Sequence, residues 1–99
     1  MGNDIFANFV SNQTEGVNIR ITHADDPVPR LPPLWLSYSH IYPEYWIEQG
    51  DVNVTTNDIE VLYGVANTDG NAGQADFNTT AHVWYFGHIT ACEGDLTFK

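Results

Sequence analysis

The sequence predicts an α/β chain in the order helix, strand, long proline-rich loop, two further strands and a C-terminal helix. Three observations carry this. Ile5, Phe6, Phe9 and Val10 recur at helical spacing, Val17, Ile19 and Ile21 alternate with Asn18, Arg20 and Thr22 at a period of two, and a glycine lies between the two patterns. A helix joined through a tight glycine turn to a strand is half of a β-α-β unit.

The elements follow in order. Asn3 or Asp4 can cap the first helix, and Glu15-Gly16 ends it, with Gly16 as the residue able to turn left-handed. The first strand runs from Val17 to His23. Residues 27–33 hold four prolines, which excludes helix and central strand and predicts a stiff extended loop carrying apolar side chains. Glu44 to Glu48 reads as the second strand, Gln49-Gly50-Asp51 as a turn, and Asp58 to Gly64 as the third strand. Asn67 to Gln74 is a loop of Gly, Asn and Asp. Thr79 or Thr80 caps a final helix from Ala81 to about Thr90, with Val83, Trp84, Phe86 and Gly87 turned inward.

Composition narrows the function classes. The 99 residues hold 13 acidic and 3 basic side chains, a formal net charge of −10, and 42% hydrophobic residues. That is the composition of one globular domain rather than a disordered chain. The charge argues against nucleic acid and anionic membrane surfaces as partners, since both demand basic patches. No apolar run approaches the roughly 18 residues of a membrane span. Met1 to Val10 has neither the basic nor the apolar region of a secretory signal. Three glycosylation sequons, at Asn12, Asn53 and Asn78, nevertheless give the chain an extracellular texture. The single cysteine, Cys92, has no partner within the chain.

Four histidines, His23, His40, His82 and His88, raise the question of a metal. No pair stands in an H-E-x-x-H arrangement and there is no cysteine cluster, so no metal is expected. Nor is there a Gly-rich phosphate loop, so no cofactor is expected. The more informative set is Asp25, Asp26 and His82. The aspartates lie just past the carboxyl end of a predicted strand, where open α/β sheets place catalytic groups. Taken alone, Asp-Asp-Pro reads as a turn whose side chains bond nearby backbone, and spacing does not lift the catalytic reading above it.

A resemblance separates these readings. Ile21-Thr22-His23-Ala24-Asp25-Asp26-Pro27-Val28-Pro29-Arg30-Leu31-Pro32-Pro33, then Tyr38-Ser39-His40-Ile41-Tyr42-Pro43-Glu44-Tyr45-Trp46-Ile47, Asn57-Asp58-Ile59 and Ala81-His82-Val83-Trp84-Tyr85-Phe86-Gly87 resemble, in order, the later part of the secreted fungal class 3 lipases. The resemblance covers nearly the whole chain. It implies the C-terminal portion of an α/β-hydrolase fold, with residues 1–99 as the C-terminal part of one lipase domain. It implies a Ser-Asp-His triad whose aspartate falls on Asp26 and whose histidine falls on His82. Pro27, Val28, Leu31, Leu36 and Val83 match positions lining the acyl groove. Asp25 is offset by one residue from the triad position, His40 matches a histidine outside the triad, and His23 packs or caps.

The same resemblance implies a triacylglycerol lipase-like hydrolysis of a lipid or other carboxylic ester, with the complete protein secreted. Cys92 matches a cysteine whose disulfide partner lies near the complete protein's N-terminus. There is a departure: the serines are Ser11, Ser37 and Ser39, none in a G-x-S-x-G. The nucleophile-bearing part is therefore expected upstream, and the 99 residues alone are expected to be inactive. Two other readings are a feruloyl-esterase-like fragment and a small acidic secreted module with a binding or structural role. The Arg30-Leu31-Pro32-Pro33 and Val83-to-Gly87 runs favour the lipase over the feruloyl esterase.

Overall fold

A computed structural model describes residues 2–50 and 52–89. It contains one α-helix, α1 (Asp4–Ser11), and three strands, β1 (Arg20–His23), β2 (Glu44–Ile47) and β3 (Ile59–Leu62). The strands form one sheet in the order β1-β2-β3, with β1 parallel and β3 antiparallel to β2.

Asn3 caps α1 by accepting from the Phe6 N–H at 3.1 Å, and Asp4 places a negative charge in the first turn. The helix stops at Ser11 rather than at Gly16. Among its last carbonyls, Asn8 and Val10 accept the backbone N–H groups of Asn12 and Gln13, and side-chain amides serve the end of the helix too: Gln13 Nε2 donates to Phe9 at 2.8 Å and Asn18 Nδ2 to Val10 at 3.1 Å. These bonds replace the expected glycine cap, and Gly16 spends its positive φ of 132° further along the connection. Ala7 is the helix's buried residue, while Ile5 and Phe9 stand 79% and 64% exposed.

The β1 ladder begins only at Arg20, three residues later than the alternation predicts. Arg20 N–H donates to the carbonyl of Pro43, and Pro43 has no N–H to return. Val17 and Ile19 are left exposed before the ladder starts. Across the register Arg20↔Glu44↔Leu62 and Thr22↔Trp46↔Glu60, cross-strand partners and alternate residues along each strand share a face. Thr22, Glu44, Trp46 and Leu62 are buried there. Glu44 gathers the polar groups: Arg20 Nη1 lies 3.0 Å from Oε2, while Thr22 Oγ1 and the Asn71 N–H donate to Oε1 at 2.5 and 3.2 Å.

The proline-rich loop is not extended throughout. It carries 3-10 turns at Val28–Arg30 and Leu34–Leu36. Proline's fixed φ suits the opening positions of such a turn, where no N–H is required. Residues 81–89 also depart from expectation. One 3-10 turn, Ala81–Val83, is followed by a reversal in which Trp84 bridges His88 and Ile89 N–H donates to Val83 at 2.7 Å. Phe86 and Gly87 take positive φ values of 58° and 142°, which no α-helix accommodates. Phe86 is consequently exposed, not inward-facing.

Candidate active site

The end of β1 and the turn at Ala81–Val83 position the two residues singled out above. Asp26 follows β1 by three residues in a tight turn, its N–H donating to His23 O at 3.0 Å. Its side chain is fully buried. Oδ1 accepts the Val28 N–H at 2.9 Å. Oδ2 accepts two donors, His82 Nδ1 at 3.0 Å and the Tyr85 hydroxyl at 2.6 Å. The His82 ring is 49% exposed, so the far side of the imidazole is open while its Nδ1 side is fixed.

A buried carboxylate holding one imidazole nitrogen sets the tautomer and favours a proton on Nδ1, leaving Nε2 as a base. Burial, the hydrogen bond to Asp26 and that carboxylate's charge all push the Tyr85 phenol well above the usual tyrosine range. Tyr85 therefore remains a donor at any working pH.

Around this pair the backbone is held by buried polar side chains. Asn71 is fully buried and its Nδ2 donates to the carbonyls of Asp26 at 2.9 Å and Ala24 at 3.1 Å. Trp46 Nε1 also donates to Ala24, at 3.0 Å. His23 Nδ1 lies 3.0 Å from Ala81 O, and its ring meets Tyr85 edge-on at 5.5 Å. The packing role expected of His23 thus consists of anchoring the turn that bears His82. Asn78 Oδ1 accepts the N–H groups of Thr80 and Ala81, starting that turn.

The other sequence-predicted residues fall as follows. Asp25 contributes its backbone carbonyl, accepting from Arg30 and Asn78. Pro27 and Leu31 line a cavity of about 360 Å³ together with Leu34, Trp35, His40 and Phe77. Val28, Leu36 and Val83 do not line that cavity; Val28 and Leu36 are exposed nearby in the chain. Burial first, and then the Arg20 charge, hold the His40 imidazole below its ordinary range. Asn12, Asn53 and Asn78 are all exposed. Cys92 lies outside the described residues. Among the described residues no three potential ligands gather around a metal position. Sequence reasoning missed Tyr85, Asn71 and the contacts of Arg30 with the Gln74 and Asp76 carbonyls, all of which depend on partners tens of residues away.

No protein-family profile matches the chain. It is 47% identical over 94 residues to a secreted mono- and diacylglycerol lipase of Fusarium solani, covering 93% of this chain and 28% of that protein. Among solved structures, a mono- and diacylglycerol lipase from Aspergillus oryzae superimposes with a TM-score of 0.79 at 47% identity, over 87% of this chain and 34% of that one. A structure described for an unusual buried polar cluster in a family of fungal lipases also gives 0.79, at 39% identity, over 93% of this chain and 35% of that one. The small mixed sheet is thus part of an α/β-hydrolase fold. By sequence and by fold the chain is a member of the fungal class 3 lipase family, spanning about a third of the length of these relatives and matching their C-terminal portion.

Proposed function

We propose that residues 1–99 form the C-terminal part of one secreted lipase domain and supply the acid and base of a Ser-Asp-His triad that hydrolyses mono- and diacylglycerol esters. The observation carrying this is the 3.0 Å contact between a fully buried Asp26 and a half-exposed His82. His82 Nε2 takes the proton of a serine hydroxyl as the serine attacks the ester carbonyl. The tetrahedral intermediate collapses, and His82 returns the proton to the departing glycerol oxygen. Water then attacks the acyl-enzyme by the same exchange. Throughout, Asp26 holds Nδ1–H and stabilises the imidazolium without itself being protonated. Pro27 and Leu31, on the wall of the apolar cavity, receive part of the acyl chain, each buried methylene contributing about 0.8 kcal/mol. The serine comes from sequence outside these 99 residues. The names of the relatives support both secretion and the substrate class.

The test is a hybrid chain in which these 99 residues replace the matched portion of the Fusarium solani lipase. The hybrid should release fatty acid from a monoacylglycerol, and His82→Ala should lower kcat by on the order of a thousandfold or more. A cooperatively folded hybrid that hydrolyses nothing, or a His82→Ala variant with undiminished kcat, would overturn the proposal.

A further inference from the structure

The segment leading to His82 has little regular structure of its own. Between β3 and the His82 turn it contains a single 3-10 turn, Asn71–Gly73, and residues 75–80 are exposed. A loop this long holds its place only through specific ties. Asn71 ties its 3-10 turn to Ala24, Asp26 and Glu44, and one side chain ties the stretch that follows. Arg30 Nη1 donates to the carbonyls of Gln74 at 3.0 Å and Asp76 at 2.7 Å. Its Nη2 donates to the carbonyl of Asp25 at 2.7 Å. The guanidinium also lies 5.1 Å from the centroid of the Phe77 ring. Asp25 O accepts a second bond, from the Asn78 N–H at 3.2 Å.

These contacts join two stretches that are remote in sequence. One side is the residue preceding Asp26. The other is the run from Gln74 to Asn78, whose last member starts the turn bearing His82. We infer that Arg30 is a positioning residue for the reaction: its guanidinium ties the segment carrying Asp26 to the segment carrying His82 and so sets their separation. The chemistry of the side chain suits this task. A planar fork with several fixed donors serves three carbonyls in different directions at once, whereas an ammonium is a point charge on a flexible stem. Arg30 Nε makes no hydrogen bond, so the two terminal nitrogens carry the tie.

This inference rests on the triad reading, and its test separates the two. In the hybrid lipase, Arg30→Lys and Arg30→Ala are compared with the parent, each assayed well below its own melting temperature. Misplacing a reacting group by about an ångström costs up to on the order of a hundredfold. We therefore expect kcat to fall about tenfold to a hundredfold in Arg30→Ala and less in Arg30→Lys, with KM within about twofold. A role in stability alone would lower the melting temperature and leave kcat in place, whereas a positioning role lowers kcat with KM kept. Should Arg30→Ala fail to fold, Arg30→Lys carries the test. If His82→Ala silences the hybrid while Arg30→Lys leaves kcat unchanged, the Arg30 assignment is wrong and the triad reading stands. If His82→Ala leaves full activity, the triad reading has failed and the Arg30 inference fails with it.

Discussion

Replacing Tyr85 by Phe removes one hydroxyl and keeps the ring against His23. Asp26 Oδ2 would lose the shorter of its two donors, at 2.6 Å, and keep His82 at 3.0 Å, while Oδ1 keeps the Val28 N–H at 2.9 Å. Because Asp26 is fully buried, the lost bond is not simply replaced by bulk water. A hydrogen bond to a charged group contributes about 1.5–3 kcal/mol, so the variant should lose stability of that order. The second effect is on His82. With the hydroxyl gone, the Asp26 side chain is held by two contacts instead of three, so the imidazole it orients is less firmly placed. We expect kcat to fall by up to about tenfold, since misplacement by about an ångström costs on the order of a hundredfold. The assay is denaturant unfolding of the hybrid lipase beside kcat for a soluble ester. Unchanged stability would refute the reasoning.

Asp26→Asn in the same hybrid should cost on the order of a thousandfold or more in kcat by presenting the wrong donor to His82, whereas Asp25→Asn should leave kcat nearly intact; an exchange of these outcomes would shift the register by one residue. Asn71→Ala removes a donor from the carbonyls of Ala24 and Asp26; Ala24 keeps Trp46 Nε1, and the buried Asp26 carbonyl loses the Asn71 amide. The substitution should destabilise the hybrid by about 1–3 kcal/mol for the Asp26 carbonyl, read from denaturant unfolding. Asp58 accepts from the Thr55 N–H, the Gln49 amide and the Thr55 hydroxyl, in that order of effect, which holds its carboxyl below the ordinary value of 3.8. Its contribution to stability is complete above the unfolded value and disappears as pH falls through the lower folded one. Carboxyl NMR titration should show the depressed midpoint, and Gln49→Ala should raise it. Finally, Ile5, Phe9, Val17 and Ile21 expose 79%, 64%, 80% and 49% of their surface. The 99-residue chain by itself should therefore self-associate in light scattering; a soluble monomer with a sharp thermal transition would contradict this.

The parts of the fold legible in the sequence are those with local causes. The cap at Asn3 and the three strands follow from side-chain chemistry within a few residues of each position. Gly16 misled because amide side chains of Gln13 and Asn18 reached the helix carbonyls first. Val17 and Ile19 continue the alternation, but a ladder needs a partner with an N–H, and Pro43 has none. The expected helix after Thr80 failed on Phe86 and Gly87, whose backbone conformations depend on how the chain folds back onto Val83. At the site, Asp26 and His82 were picked out through the family resemblance, since spacing alone left Asp-Asp-Pro as an ordinary turn. Tyr85 and Arg30 carry no local mark. Their partners lie 59 and up to 46 residues away, distances over which a single sequence holds no usable periodicity.

The two donors on Asp26, the carbonyls grasped by Arg30 and the anchor from His23 to Ala81 all close within one contiguous stretch of chain, residues 23–85. In genetic terms that stretch is a unit of inheritance. A crossover between two lipase genes outside it passes on the acid, the base and their tethers together. A crossover between codons 31 and 73 joins an arginine from one parent to carbonyls from the other, and an aspartate to a histidine that evolved in different company. Shuffled libraries of such genes should accordingly yield active recombinants with breakpoints concentrated outside this interval, and a breakpoint map of the survivors would trace the boundaries of the acid–base assembly.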